Sequence, residues 1–174
     1  MPLENFSKLL LIIVRDMVGV GSNAKEALMN NPARKPETTS PIIRQLAAPH
    51  RLDRLHAVAG RFVHALRLIA LHERARRDPV PELAARLGGV EIAAKALAVS
   101  QTIAATWPED IHVSRFCCPF LTHDEVTIAA LVESAWERNS EAFERQIAGL
   151  VRPQRVALLW DDIAGLVAAE ASAR

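Results

Sequence analysis

Two adjacent cysteines, Cys117 and Cys118, are the residues in this chain whose type and spacing come nearest to chemistry. His112 and His123 flank them in a His-x4-Cys-Cys-x4-His arrangement, followed directly by Asp124 and Glu125. Thiolates and imidazoles are good ligands for zinc and other soft ions, so His112, Cys117, Cys118 and His123 form a candidate metal set. Zinc sites normally use two close ligand pairs of the Cys-x-x-Cys kind, and no such element is present here. Adjacent cysteines usually point apart, and a disulfide between them is strained. The structural expectation is therefore one thiol in the core and one in a turn before Pro119, fixing the entry of the chain into the next helix. No cofactor is expected on this reading. A redox-sensing thiol pair is the other chemistry these residues could perform. With two cysteines and no disulfide framework, the chain suits a reducing cytoplasm.

A second constellation lies between Glu91 and Trp107. Ala94-Lys95-Ala96-Leu97-Ala98-Val99-Ser100, with Thr102, Ile103 and Trp107, resembles the helix-turn-helix of Cro-like regulators. Ala98 stands where the turn of that motif has glycine, and the hydrophobic spacing that follows is one residue short. The segment from Gln101 to Trp107 carries no Arg or Lys, which leaves Gln101 and Thr102 as the base-contacting candidates. One continuous packed helix accounts for the same residues.

Other reactive types do not converge. His56, His64 and His72 lie eight residues apart, so successive rings rotate by about 80° around a helix and fan across its polar side. Asp161 and Asp162 diverge by about 100° and cannot share one proton-transfer task. Gly-rich phosphate loops, Gly-x-Ser-x-Gly and His-Glu-x-x-His are absent, so the chain is expected not to be an enzyme. Seven arginines between Arg51 and Arg77 could meet phosphate or an acidic partner. They are not clustered as a nucleic-acid stripe would be. A solvated basic face, or one docked on the acidic part of the chain, is the simpler expectation.

The elements that must position these residues are helical. The 174 residues are half apolar and 24% charged, enough for one domain with a true core. Residues 1–78 hold 13 Lys and Arg against 7 Asp and Glu, a surplus of six positive charges. Residues 79–174 hold 8 against 13, a surplus of five negative charges, so the two halves can attract each other within one fold or between copies. Leu9 to Val14 is the most apolar run, and at six residues it is too short to span a membrane, which takes roughly 20. No cleavage site follows it, so a cytoplasmic protein is expected.

Apolar steps of three and four predict a helix over 3–20, and Ser22 can cap a short one to Asn30. Three prolines within 31–41 predict a mobile linker. A strong helix is predicted over 50–77, with Leu52, Leu55, Val58, Phe62, Leu66 and Ile69 as its stripe. Pro81 opens a short helix that ends near Leu87 at Gly88-Gly89, and Val90–Thr106 is a small-residue helix meant for close packing. Residues 111–116 alternate apolar and polar and read as extended, a connector rather than a paired strand. Thr122 with Glu125 is a capping box that starts a helix running to about Arg138. Ser140 is expected to cap a helix to about Leu150, and Pro153 opens the last one. The expectation is an all-α bundle of about six or seven helices in a single domain, with one extended segment near 111–116.

Two stretches resemble an uncharacterised family of small helical proteins from alphaproteobacteria. Residues 8–17, Lys-Leu-Leu-Leu-Ile-Ile-Val-Arg-Asp-Met, are similar to that family's opening helix, and residues 117–125, Cys-Cys-Pro-Phe-Leu-Thr-His-Asp-Glu, to its Cys-rich turn before a Thr-x-x-Glu helix start. Phe116 stands where that family often has a third cysteine, and 30–50 is extra length. The resemblance implies a helical fold in a bacterial cytoplasm and no particular reaction. The function expected from all of this is a non-enzymatic interaction or regulatory protein that binds another macromolecule or itself. A DNA-binding regulator and a metal- or thiol-dependent protein are the alternatives.

Overall fold

A computed structural model describes residues 49–173 together with the backbone of a two-residue strand, Ile13–Val14. The expected short helix over 22–30 and the linker over 31–41 lie outside the described residues. The all-α expectation holds: six helices carry the described chain, with almost no strand. They are α1 (Ala57–Arg74), α2 (Val80–Leu87), α3 (Val90–Thr106), α4 (His123–Trp136), α5 (Ser140–Ile147) and α6 (Pro153–Ser172).

The helix starts and stops follow local chemistry. The predicted 50–77 helix begins late: Leu52–Arg54 is a 3-10 turn, Leu55 is extended, and the His56 imidazole accepts from the Val58 N–H at the N-cap. Gly88 closes α2 at φ +88, a left-handed conformation that costs glycine nothing. The α4 helix stops at Trp136, two residues short of expectation, because Arg138 turns left-handed (φ +56) and the Asn139 N–H bonds the Ser134 carbonyl at 2.9 Å. Asn139, not Ser140, then caps α5, its side-chain oxygen accepting from Ala142 N–H. An amide reaching forward from the last residue of the turn does the work expected of the hydroxyl.

The core is a stack of apolar helix faces. The α4 helix packs against α1, α5 and α6, and α3 lies along α6. Leu66, Ile69, Ile103, Ile128, Leu131, Phe143, Leu159 and Ile163 are wholly buried. Ala93 and Ala96, fully buried on α3, keep that helix close to its neighbours. Each such Leu or Ile removes about 1.5–3 kcal/mol worth of apolar surface from water.

The extended segment differs from expectation in having a partner. His112–Val113 forms β2, which pairs in parallel with β1 (Ile13–Val14), in the register Ile13 to His112 and Val14 to Val113. Ile13 and Val14 are thus strand rather than part of the helix predicted over 3–20; the rest of that segment lies outside the described residues. Both are β-branched residues, which suit a pleated ribbon. An isolated antiparallel bridge, Arg51 to Phe120, ties the chain before α1 to the loop before α4.

Candidate functional site

The loop from Phe116 to Leu121 joins β2 to α4 and carries Cys117 and Cys118. What fixes it is an arginine from α1. Arg67 is wholly buried, as is its partner Glu125 in the first turn of α4. The Arg67 Nε–H donates to Glu125 Oε1 at 2.6 Å and Nη2 to Oε2 at 2.9 Å, a bidentate pair. Nη1 donates to the Cys118 carbonyl at 2.6 Å and, at 3.4 Å, to that of Arg115; Nη2 also donates to the Phe120 carbonyl at 2.9 Å. Every N–H of the guanidinium therefore has an acceptor, the condition under which a buried charge is tolerable.

Glu125 is equally occupied. Besides Arg67, its oxygens accept from the Ser114 N–H at 3.0 Å and the Thr122 N–H at 2.9 Å. The second of these is half of the predicted capping box; the other half is Thr122 Oγ1 accepting from the Glu125 N–H at 3.1 Å. Thr122 Oγ1 also donates to the His112 carbonyl at 2.6 Å, and the next acid, Asp124, accepts from the His112 N–H at 2.8 Å. The helix cap, the strand and the loop are one hydrogen-bonded unit.

The cysteine thiols stand outside that network. Cys117 is exposed and Cys118 half-buried, and both are free thiols. The expectation that one of them enters the core fails because the space beneath the loop is filled by the Arg67 guanidinium. By sequence alone Arg67 counts as one arginine of a basic face. The signal was its position inside Ala65-Leu66-Arg67-Leu68-Ile69-Ala70, where apolar residues on every side leave an arginine no surface to reach.

Two clefts flank the loop. The larger, about 550 Å³, is lined by His112, Cys118, Phe120, His123 and Asp124 among others. Three members of the candidate metal set thus share a cleft, yet among the described residues no three His, Cys, Asp or Glu side chains converge into a metal-holding group. The His112 imidazole faces the Asp124 carboxylate instead, Nδ1 to Oδ2 at 3.5 Å.

The smaller cleft, about 340 Å³, lies between α1 and α2 and is lined by Arg61, His64, Ala65, Leu68, Leu83, Arg86, Leu87 and Phe116. Arg61 pairs with Glu170 of α6 through Nε at 3.2 Å and through Nη2. Arg86 donates twice to Glu82 Oε1 and lies over the Phe116 ring, 5.0 Å from its centre. His64 sits 5.6 Å from the same ring, centre to centre. Burial, then the positive charges of Arg67 and Arg86, push the His64 imidazole below its ordinary pKa. Glu82 is held below the usual carboxylate range by hydrogen bonds from Arg86 and from His72, the latter at 2.8 Å.

The residues proposed for DNA contact lie elsewhere. The α3 helix runs unbroken through Ala98, where a helix-turn-helix would turn. Gln101 and Thr102 are half-buried on it, and Thr102 Oγ1 donates to Asp162 of α6 at 2.5 Å. Comparison of the chain with protein-family profiles, with curated proteins and with solved structures found no match. Among the described residues no helix is long and apolar enough to cross a membrane.

Proposed function

We propose that this is a non-enzymatic helical binding protein whose Cys117–Leu121 loop is the contact surface for another protein. The supporting observation is the direction in which the loop is anchored. Arg67 and Glu125 hold its backbone from inside, through the carbonyls of Cys118 and Phe120 and the N–H groups of Ser114 and Thr122. Phe120 is left 42% exposed and lines a cleft of about 550 Å³, and Cys117 in the same loop is exposed as well. A preorganised loop with an outward aromatic residue binds at low ordering cost, and exposed aromatics are the residues that anchor interfaces. Free thiols suit a reducing compartment, and the reading places the protein in the cytoplasm.

The test attaches a photo-crosslinker to Cys117 in a Cys118→Ser background and irradiates it in extract of the source cells. One discrete adduct, lost when Phe120→Ala is added, is expected. Diffuse labelling that Phe120→Ala leaves unchanged defeats the reading. If the adduct is the chain itself, light scattering at high protein concentration and low salt will show the dimer.

A further inference from the structure

The smaller cleft carries a different kind of recognition. Its floor and walls are aliphatic and aromatic: Ala65 and Leu68 from α1, Leu83 and Leu87 from α2, and the Phe116 ring. Its rim is cationic, with a guanidinium on each helix, Arg61 and Arg86, and the His64 imidazole beside them. We propose that this cleft binds a small amphiphilic carboxylate, with an acyl or aryl tail against Leu68, Leu83 and Phe116 and the anionic head between Arg61 and Arg86.

The arginines are already oriented for this. Glu170, only 5% exposed, holds Arg61 through Nε and Nη2, and Glu82 holds Arg86 through Nε and Nη2. Among the described residues neither Nη1 has a hydrogen-bond partner. Each side chain therefore keeps donors for a ligand while its own rotamer is fixed, which lowers the ordering cost of binding. Those carboxylates also neutralise much of the local charge, so the residual field suits a monoanion better than a phosphate dianion. Burial lowers the His64 pKa first, and the positive charges of Arg67 and Arg86 lower it further.

The volume, about 340 Å³, is at the small end for ligand sites, so a single ring or a medium acyl chain fits and a large cofactor does not. Cation and ring are stacked on one side, since Arg86 lies over Phe116. An anionic head beside that guanidinium keeps the stack intact.

The experiment titrates the full chain with octanoate, 1-octanol and acetate by calorimetry and follows the His64 ring protons by NMR. Octanoate should saturate with one-to-one stoichiometry, bind about tenfold or more tightly than either control, and raise the His64 titration midpoint by placing a negative charge beside it. Arg86→Gln, at a side chain 53% exposed, should weaken octanoate by about tenfold while leaving the thermal midpoint nearly unchanged. Equal binding of 1-octanol would reduce the cleft to an apolar patch, and equal binding of acetate to a counter-ion effect; either overturns the proposal. So does a His64 midpoint that octanoate leaves in place, an outcome that needs no variant to fold. The loop reading stands or falls separately, because Phe120→Ala leaves this cleft untouched.

Discussion

Arg67 and Glu125, 58 residues apart in sequence, meet side by side with no exposed surface on either side chain, Nε to Oε1 at 2.6 Å. The pair joins the basic half of the chain to the acidic half. It also joins α1 to the first turn of α4 and both to the loop between β2 and α4.

Removing one member of a buried pair leaves an uncompensated charge, which typically costs about 3–5 kcal/mol. Arg67→Met and Glu125→Gln should therefore each lower the urea midpoint severely. In an isolated pair, replacing both residues by apolar ones often restores stability. Here the double variant Arg67→Met, Glu125→Leu should stay destabilised, because the Cys118 and Phe120 carbonyls and the Ser114 and Thr122 N–H groups lose their partners as well. Full recovery in urea unfolding would show that the loop contributes nothing to the energetics of the pair.

That pair also marks how far the sequence was legible. Periodicity in 3.6 placed α3, α4 and α6 closely and the body of α1 but not its start, while the Pro81 and Gly88 signals placed the ends of α2 and Thr122–Glu125 the start of α4, because each depends on neighbours within a turn. The surplus of six positive charges against five negative was visible and is partly realised as Arg67–Glu125 and Arg61–Glu170, both between the halves. Which arginine would be buried was not visible, since it depends on carbonyls about 50 residues away. The pairing of β1 with β2 was hidden for the same reason: a strand partner about 100 residues distant leaves no local trace. The metal set was legible as spacing only. Whether His112, Cys117, Cys118 and His123 converge depends on how the Arg67 anchor holds the loop backbone from beneath, with Cys117 left outward.

The thiols provide a direct check on that outward placement. Both cysteines are free, Cys117 exposed and Cys118 half-buried in the larger cleft. A chromogenic thiol reagent should titrate two equivalents in the folded protein, the first faster than the second, with Cys117→Ser removing the fast phase. If the thiols react only after denaturant is added, the loop is not arranged as described.

The capping box gives a smaller effect with a specific signature. Thr122→Ala removes an acceptor from the Glu125 N–H and a donor to the His112 carbonyl. Loss of such a cap costs about 0.5–2 kcal/mol, and the second bond puts Thr122 toward the upper end. Thr122→Ser keeps both bonds and should retain most of the stability in the same denaturation assay. Equal losses in the two variants would assign the effect to the methyl group instead.

Glu73 yields a pH dependence whose sign can be worked out. It continues the Phe62, Leu66 and Ile69 stripe of α1, where burial alone raises its carboxyl from an ordinary 4.5 to about 7, and Glu73 Oε2 has no hydrogen-bond partner among the described residues. The folded state then binds a proton more tightly than the unfolded chain does. Between pH 4.5 and about 7 the folded protein carries more protons, so this residue's contribution to stability falls as pH rises through that window. Below it both states are protonated and nothing is lost. Glu73→Gln is neutral at all pH values and removes the dependence. The variant should match the parent near pH 4 and exceed it at pH 8 by about 1 kcal/mol, well below the full value of such a shift because the side chain is only half-buried. Urea unfolding at the two pH values measures this. A variant that is less stable than the parent at pH 8 would mean that the ionised carboxylate has found a partner, and that Glu73 contributes to the fold as a charge.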